Sequence, residues 1–538
     1  MSLPLLKRVA DDSVTYGMTP RSGVRPVGLR SASPGSGGHP TNDAGDALAL
    51  DGRMPSRAPG PGEQYRFHVD MRHCIGCKCC VVACNEQNGN PAAINWRRVG
   101  EVEGGWYPNA HRAYLSMGCN HCVNPTCLSG CPVDAYTKDP DTGIVRHSAD
   151  ACIGCQYCTW NCSYGVPQYN PERGVVGKCD MCHGRLQLGQ APACVSACPE
   201  GAIQIEIVNT DQWRAAVAAS AGGEGVPAGD GSLSTTRVTM PAQLPPDMRP
   251  VEVTHVTPEH AHWSLVMMTV LTQLSVGAFV AMWLLQLMGG ATRLGVAALT
   301  SLLVAAIALN GATLHLGRPA YAYRALKMWR RSWLSREVLL FTAFAGVAGV
   351  YAAMLWMELQ GSLIVGGLTS LVGIAGVTAS GCIYRVASRP AWNTRLTLVQ
   401  FNLTAAALGA LFAAALGVPA SPVSNDARWL AWAAATMAGT QLVFAALHFV
   451  RLVAAGGVEL QGTARLLSTT LRLQFITRGI LLTVGGIVLP LLAADAVAWW
   501  TALIVALAAE ILGRYLFFVS VVPKHMAAPY LQIGSEAA

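Results

Sequence analysis

The 538-residue chain has few charges, since Asp, Glu, Lys and Arg make up only 13% of it and hydrophobic residues 52%. Soluble domains carry about 25% charged residues, so the chain is not expected to be soluble throughout. It also lacks a basic stripe interleaved with aromatic residues, and no nucleic-acid partner is expected. The length allows at least two domains.

No export signal is expected either, because the opening MSLPLLKRVADDSV is too polar for an apolar export core and no twin arginine precedes one. Of the 18 cysteines, 17 lie between Cys74 and Cys198. Disulfide frameworks are the ordinary alternative, but they belong to short secreted domains. Reduced thiolates that bind metal are therefore the favoured interpretation.

Composition divides the chain into five parts. Residues 1–63, rich in Pro, Gly, Ser and Arg, predict a disordered arm. Residues 64–206 hold the cysteine groups, and the Pro/Gly-rich residues 207–258 predict an extended linker. Residues 259–525 predict a membrane anchor, and 526–538 form a C-terminal tail.

The anchor contains eight apolar runs, each long enough for the roughly 20 residues that a bilayer requires. Any single run is equally typical of a buried core helix, but eight in series predict a transmembrane bundle. The seventh is short and contains Pro490. The runs are 262–288, 294–315, 337–357, 362–384, 397–417, 429–450, 479–494 and 497–520.

The cysteines form four groups with regular spacing. The first and third groups both follow C-x2-C-x2-C-x3-C, and the second and fourth each end in Cys-Pro. They comprise Cys74, Cys77, Cys80 and Cys84; Cys119, Cys122, Cys127 and Cys131; Cys152, Cys155, Cys158 and Cys162; and Cys179, Cys182, Cys194 and Cys198.

This spacing is typical of cubane iron–sulfur clusters, in which three thiolates of one loop bind one cluster and the fourth cysteine reaches a neighbouring cluster. Zinc is the competing metal, but its sites usually join two separated C-x2-C pairs. The sixteen cysteines therefore predict four 4Fe–4S clusters in an α+β double ferredoxin-like domain, followed by the all-α eight-helix bundle.

The partition of the ligands depends on this exchange rule. If the first group pairs with the fourth and the second with the third, each cluster takes three cysteines from one group and one from its pair. The predicted quartets are Cys74, Cys77, Cys80 and Cys198; Cys84, Cys179, Cys182 and Cys194; Cys119, Cys122, Cys127 and Cys162; and Cys131, Cys152, Cys155 and Cys158. Cys79 is left over as a packed or free thiol.

Ionisable residues at the ends of two spans indicate a quinone site. His315 ends the second span in HLGRP and Glu337 begins the third in SWLSRE, with Arg318 and Arg336 beside them. Ionisable groups at membrane depth are costly and usually functional. The alternative is structural, with His315 capping its helix and Glu337 favoured by the helix dipole.

Two further features of the bundle have ordinary interpretations. Glu510 and Arg514, spaced i and i+4, predict a neutralising pair on one helical face. The histidines His315 and His448, which would have to face each other to hold a haem, look peripheral, so no haem is expected.

An even number of spans returns both ends of the bundle to one face, and most basic residues of the anchor fall on that face. Opposite it lie only Arg293 and Arg428. This bias predicts an inner-membrane protein with the cluster domain in the cytoplasm. Alternatively, the basic loops are a docking surface for the cluster domain or another subunit.

Both the cysteine-rich part and the anchor resemble subunits of a known family. Residues 64–206 resemble the four-cluster subunit of the dimethyl sulfoxide reductase family of molybdopterin enzymes, and residues 259–525 resemble its eight-span anchor through HLGRPAYAYRAL, SWLSRE and GRYLFFVSVVP. The departure is the fusion of two subunits that are normally separate. The segment TRVTMPAQLPPDM looks more like the cluster subunits of sulfite dehydrogenases.

The resemblance implies a quinol site at His315 and Glu337 and a separate catalytic subunit with the molybdenum cofactor. The chain would then be non-catalytic on its own and would carry electrons for sulfite oxidation or sulfoxide-type reduction. The alternative is a stand-alone membrane-bound, quinone-linked iron–sulfur oxidoreductase. An iron–sulfur sensor is disfavoured, because the sequence has no output module.

Overall fold

The computed structural model describes residues 52–219, 231–242, 244–245, 247–251, 256–289, 294–417, 425–526 and 530. Most of the predicted N-terminal arm and of the C-terminal tail lies outside these residues.

Short strands in four small sheets build the cysteine-rich part. β1 pairs antiparallel with β8 and parallel with β9, β2 lies between β3 and β10, and β4–β5 and β6–β7 are separate hairpins. The strands are β1 (Glu63–Asp70), β2 (Arg98–Gly104), β3 (His111–Met117), β4 (Tyr136–Lys138), β5 (Val145–His147), β6 (Gln168–Asn170), β7 (Val175–Gly177), β8 (Ile203–Asn209), β9 (Arg237–Thr239) and β10 (Arg249–Pro250).

Short helices connect these strands around the cysteine loops. Together with the small sheets they confirm the predicted ferredoxin-like domain. The helices are Cys79–Asn88, Thr126–Gly130, Tyr157–Asn161, His183–Gln187, Ala193–Ser196 and Thr210–Ala219.

The segment predicted as an extended linker, 207–258, is folded at several points. It contains the end of β8, the helix Thr210–Ala219, and the strands β9 and β10. Both of these strands are at the edges of their sheets. Proline is tolerated there because the outer side of an edge strand forms no hydrogen bonds with another strand. The prolines therefore did not exclude strands, and an extended chain was the wrong expectation for these parts.

Among the described residues, eight helices are long and apolar enough to cross a membrane, which confirms the predicted bundle. These spans are numbered in chain order below, and a further helix, Val458–Ser468, lies between the sixth and the seventh. They are Trp263–Leu287, Leu294–His315, Trp333–Trp356, Ser362–Ile383, Arg395–Gly417, Asn425–Ala454, Arg472–Leu492 and Ala496–Val519.

The seventh span begins at Arg472, seven residues before the predicted start, and changes its winding in the middle. A π-helical turn, Val484–Val488, lies just before Pro490. Proline has no N–H to donate to the carbonyl four residues earlier. A π turn accommodates this missing hydrogen bond without ending the helix.

Three glycines form the contact between the cluster domain and the anchor. A Cβ on Gly317 would lie 2.1 Å from the carbonyl oxygen of Gly174, and one on Gly154 would lie 2.4 Å from the same oxygen. The amide of Arg318 donates to the carbonyl of Ile153 at 3.1 Å. The loop after the second span therefore packs backbone to backbone on the Cys152–Cys158 loop.

The same contact is extended by a basic loop and an apolar core. Arg331 bonds Asp134 at 2.5 Å and Arg324 donates to the Asp150 carbonyl at 3.0 Å. Trp160 of the cluster domain belongs to the same continuous buried core as the helices of the anchor. The Trp160 ring lies 5.6 Å from the ring of Trp392. The two parts are thus joined by packing as well as by charge.

The first and fifth spans approach so closely that glycine is required at their crossing. A Cβ on Gly277 would lie 1.7 Å from the Ala405 carbonyl oxygen, and one on Gly409 would lie 2.0 Å from the carbonyl carbon of Gly277. Small residues allow this approach of helix backbones in a membrane.

We expect Gly277→Ala to lower the stability of the chain by about 1–3 kcal/mol, the usual cost of inserting a methyl group into a packed site. Thermal unfolding in detergent measures this change. Gly346→Ala is the matched control, because a Cβ at Gly346 has no heavy atom within 4 Å. Equal melting temperatures for both variants would contradict the crossing.

Candidate iron–sulfur centres and membrane cavity

Strand pairing explains how distant cysteines meet. β1 and β8 are antiparallel, with Val69 opposite Ile203. Cys74 follows the end of β1 and Cys198 precedes the start of β8, so the two cysteines leave the sheet at one end. The hairpin β4–β5 does the same for Cys131, before β4, and Cys152, after β5. Antiparallel pairing thus brings Cys198 close to the loop that begins at Cys74, and Cys131 close to the loop that begins at Cys152.

The thiols lie in four quartets, and the thiols of each quartet interact electrostatically. These sets coincide with those of the exchange rule, and their role as the ligands of four clusters stays a prediction. The first quartet is Cys74, Cys77, Cys80 and Cys198; the second is Cys84, Cys179, Cys182 and Cys194; the third is Cys119, Cys122, Cys127 and Cys162; the fourth is Cys131, Cys152, Cys155 and Cys158.

The chemistry of the quartets fits iron–sulfur clusters. Backbone amides donate to the sulfurs, from Ala135 to Cys131 at 3.3 Å and from Gly154 to Cys152 at 3.4 Å. Such hydrogen bonds stabilise cluster thiolates. Burial raises the pKa of Cys194 to about 12, so this thiol is protonated at neutral pH until a metal displaces the proton.

No group of three or more His, Cys, Asp or Glu side chains in the described residues is arranged to hold a metal ion. A cubane places its four thiolates on four separate irons, so its ligands need not converge on one atom.

The quartets follow one another through the domain. Cys179 of the second quartet interacts with Cys119 of the third. The buried Tyr136 interacts electrostatically with both Cys127 of the third quartet and Cys158 of the fourth. The first quartet is at the surface, where Cys77 is exposed. The leftover Cys79 is also exposed and lies beside Cys77.

A cavity of about 200 Å³ lies between the fourth quartet and the anchor. It is lined by Cys155 of that quartet and by both His315 and Glu337. Glu337 is 3% exposed, and its Oε1 has no hydrogen-bond partner in the described part of the chain. The Nδ1 of His315 contacts the carbonyl oxygen of Ala312. The structure therefore brings these two predicted residues together.

The other two residues predicted for the quinone site lie outside this lining. Arg318 donates to the Ala149 carbonyl at 2.8 Å, so it belongs to the docking contact. Arg336 is half-buried and donates to the carbonyls of Trp329 and Arg330 at 3.0 and 2.7 Å. The sequence places both next to the site, but the backbone directs them away from the cavity.

Aromatic residues of the cavity were not predicted. Tyr157 and Trp160, from the cysteine loop CQYCTWNC, and Tyr384, just after the fourth span, line it. Large aromatic side chains among the spacer residues of a cysteine group were the available signal. They show that this loop faces an apolar environment.

The predicted pair Glu510 and Arg514 is not a direct ion pair within the described residues. Glu510 accepts from the Thr404 hydroxyl at 3.0 Å, whereas Arg514 donates to Gln273 Oε1 at 2.9 Å. The Arg514 guanidinium also lies 3.6 Å from the centre of the Phe401 ring. Glu510 is thus held by the fifth span, and Arg514 by both the first and the fifth.

Comparisons with known proteins agree with the description of both the cluster domain and the membrane anchor. Residues 110–207 match the family of 4Fe-4S dicluster domains, and residues 258–519 match the family of the DMSO reductase anchor subunit (DmsC). The chain is similar to one of the chains of the anaerobic dimethyl sulfoxide reductase of Haemophilus influenzae, with 41% identity over 146 residues, 26% of this chain and 71% of that protein.

Two further relatives share the cluster domain. The probable anaerobic dimethyl sulfoxide reductase chain YnfG of Escherichia coli is 42% identical over 149 residues, 26% of this chain and 72% of that protein. A subunit of the sulfite dehydrogenase of Allochromatium vinosum is 34% identical over 160 residues, 26% of this chain and 67% of that protein.

The fold and the cysteine domain define an iron–sulfur electron-transfer protein that carries its own multi-pass membrane anchor. The chain belongs to the family of iron–sulfur and anchor subunits of the dimethyl sulfoxide reductase type of molybdopterin oxidoreductases, with the two subunits fused.

The quartets predict which pairs of variants act on one cluster. We expect Cys74→Ala and Cys198→Ala to remove the same cluster, so the double variant loses no more iron than either single variant. Combining Cys198→Ala with Cys179→Ala is expected to remove two clusters. Iron analysis and EPR spectra of the reduced chain measure both outcomes.

Cys79→Ala is the matched control, because Cys79 lies next to Cys80 but belongs to no quartet, and we expect it to retain all iron. If Cys198→Ala and Cys179→Ala instead affect one cluster, the exchange between groups is refuted.

Proposed function

We propose that the chain carries single electrons between a membrane quinone and a separate molybdopterin subunit through four 4Fe–4S clusters. The observation that carries this proposal is the cavity at the contact between the two parts, where Cys155 of the fourth quartet shares a lining with His315 and Glu337. A quinone bound there would be adjacent to a cluster ligand.

Each quartet would hold one cluster, which supplies one-electron transfer when bound. The protein's part is to fix the ligands at the ends of short antiparallel strands and to surround them with amide donors. The four sites would then form a row from the exposed Cys77 of the first quartet to Cys155 at the cavity.

The polar atoms of the cavity suit proton exchange with a quinone head group. Contact with the Ala312 carbonyl makes Nδ1 the protonated nitrogen of a neutral His315. Its Nε2 is then an acceptor for a quinol hydroxyl. The unpartnered Oε1 of Glu337 is a second acceptor on the same cavity. The arrangement serves quinol oxidation directly, and quinone reduction once the two groups are protonated.

The exposed first quartet is the end at which the catalytic partner would bind. The relatives are subunits of a dimethyl sulfoxide reductase and of a sulfite dehydrogenase, so the partner's substrate is a sulfoxide or sulfite. A stand-alone quinone-linked oxidoreductase is the alternative, and isolation of the intact complex separates the two.

We place the protein in the inner membrane with the cluster domain on the cytoplasmic side. Several basic residues of the anchor contact the cluster domain, as the docking alternative requires. The charge bias is therefore carried by the arginines that remain exposed on this face, which include Arg330, Arg385, Arg395, Arg451, Arg465 and Arg472.

The quinone cavity predicts a selective loss of function. We expect Glu337→Gln and His315→Phe to slow the reduction of the clusters by a quinol analogue by about 10²-fold, the usual contribution of one acid–base group. Reduction by dithionite should be unchanged, because it does not need the cavity. Stopped-flow absorbance of the purified chain follows both reactions.

Arg336→Gln is the matched control, since Arg336 neighbours Glu337 in sequence but lies outside the cavity. It should react with the quinol analogue at the rate of the unmodified chain. If Arg336→Gln is as slow as Glu337→Gln, the cavity is not the site of quinol reaction.

The orientation and the partner have a joint test. A protease site inserted in the loop 357–361 should be cut from outside spheroplasts, whereas one in 455–457 should be protected, because these loops end on opposite faces of the bundle. A tagged chain purified from detergent-solubilised membranes should bring a molybdenum-containing subunit with it. Reversed cleavage would place the cluster domain outside, and full iron without molybdenum would favour the stand-alone alternative.

A further inference from the structure

Arg97 is a buried cation without a carboxylate partner among the described residues. It is 1% exposed and lies just before β2. Its Nη1 donates to the hydroxyl of Ser116 at 3.0 Å, and its guanidinium carbon is 4.6 Å from the centre of the Phe67 ring. Its Nη2 has no hydrogen-bond partner in the described part of the chain. A buried charge of this kind needs compensation from nearby negative charge.

The groups that supply this compensation are thiols of two different quartets. Ser116 links the arginine to the first quartet, because its hydroxyl also lies 3.3 Å from Cys80 Sγ. Burial alone lowers the pKa of Arg97, but the sulfurs of Cys194, Cys80, Cys179 and Cys84, once ionised as cluster ligands, together raise it above its usual value. Cys80 belongs to the first quartet and the other three belong to the second.

Lys178 is a comparable buried cation, and it contacts residues of the second and third quartets. It is 3% exposed, and its Nζ is 3.7 Å from Cys119 Sγ of the third quartet. It also donates to the carbonyl of Cys179, a second-quartet residue, at 2.8 Å. Backbone carbonyls thus satisfy Lys178, whereas the Nη2 of Arg97 remains available for a sulfur atom.

We propose that Arg97 is a positioning residue that raises the reduction potentials of the clusters in the first and second quartets together. Reduction adds negative charge to a cluster, and a fixed positive charge in a buried site stabilises the more negative form. The guanidinium is linked to Cys80 of the first quartet through Ser116 and interacts electrostatically with the sulfurs of the second, so it would act on two neighbouring clusters at once. This inference rests on the proposed function, since it requires clusters in both quartets.

Redox titration of the full chain, with the reduced clusters detected by EPR, tests the proposal. Arg97→Met removes the charge but keeps most of the apolar stem, and we expect two of the cluster potentials to fall. Arg97→Lys keeps the charge and should recover most of that shift. Cys198→Ala, which removes the first cluster, identifies one of the two affected signals.

Lys178→Met is the matched comparison, since it removes an equally buried cation that faces the second and third quartets. We expect it to lower a different pair of potentials, with the second cluster common to both variants. Potentials that stay unchanged in Arg97→Met at full iron content would overturn the proposal and leave Arg97 a purely structural residue.

If Arg97→Met loses iron, Arg97→Gln decides, because it is neutral yet can still donate to Ser116. A joint fall of two potentials in Arg97→Gln supports the proposal, and unchanged potentials reject it. If the unmodified chain lacks the signals of the first two clusters, the proposed function itself fails, and that result is visible before any variant is compared.

Discussion

The close contact of Gly154, Gly174 and Gly317 is the constraint on which the arrangement of the rest depends. Any side chain at these positions would separate the Cys152–Cys158 loop from the loop after the second span, since a Cβ at each of them would lie only 2.1–2.8 Å from backbone atoms across the contact. This separation would also move Cys155 away from the cavity that it lines with Glu337. Under the proposed function, electron transfer between a cluster and a quinone would depend on that distance, and the three glycines would connect backbone sterics directly to function.

The basic loops of the anchor show how one set of charges can serve two purposes. Arg318, Arg324 and Arg331 bind carbonyls or a carboxylate of the cluster domain. Such residues are counted by the positive-inside rule, yet their partners here are protein groups. The exposed arginines on the same face have no such partners within the described residues. Only these exposed arginines can be counted as evidence for the orientation in the membrane, because no contact with the cluster domain explains them.

Structural features that depend on local patterns were predictable from the sequence, whereas the directions of side chains were not. The cysteine groups and apolar runs are signals within a few residues, so the ferredoxin-like domain and the eight spans followed from them. The strands β9 and β10 depend on pairing with β1 and β2, which no local pattern records. Arg318 and Arg336 are close in sequence to the cavity residues, but the turn after the second span and the first turn of the third point them elsewhere. Arg97 carried no motif at all, because its role follows from burial between two quartets.

Fusion of the two parts has a structural consequence beyond fixing their ratio. The chain leaves the cluster domain before the first span and returns to it after the last, where the Tyr530 hydroxyl lies 2.6 Å from that of Ser234 and its ring lies 6.2 Å from that of Tyr164. Tyr164 follows Cys162 of the third quartet by two residues. The anchor is thus held to the cluster domain at both of its ends and at the glycine contact in between. A covalent link raises the effective concentration of one part at the other, and attachment at both ends also restricts rotation. The cavity therefore stays next to Cys155 without relying on the affinity between two separate subunits.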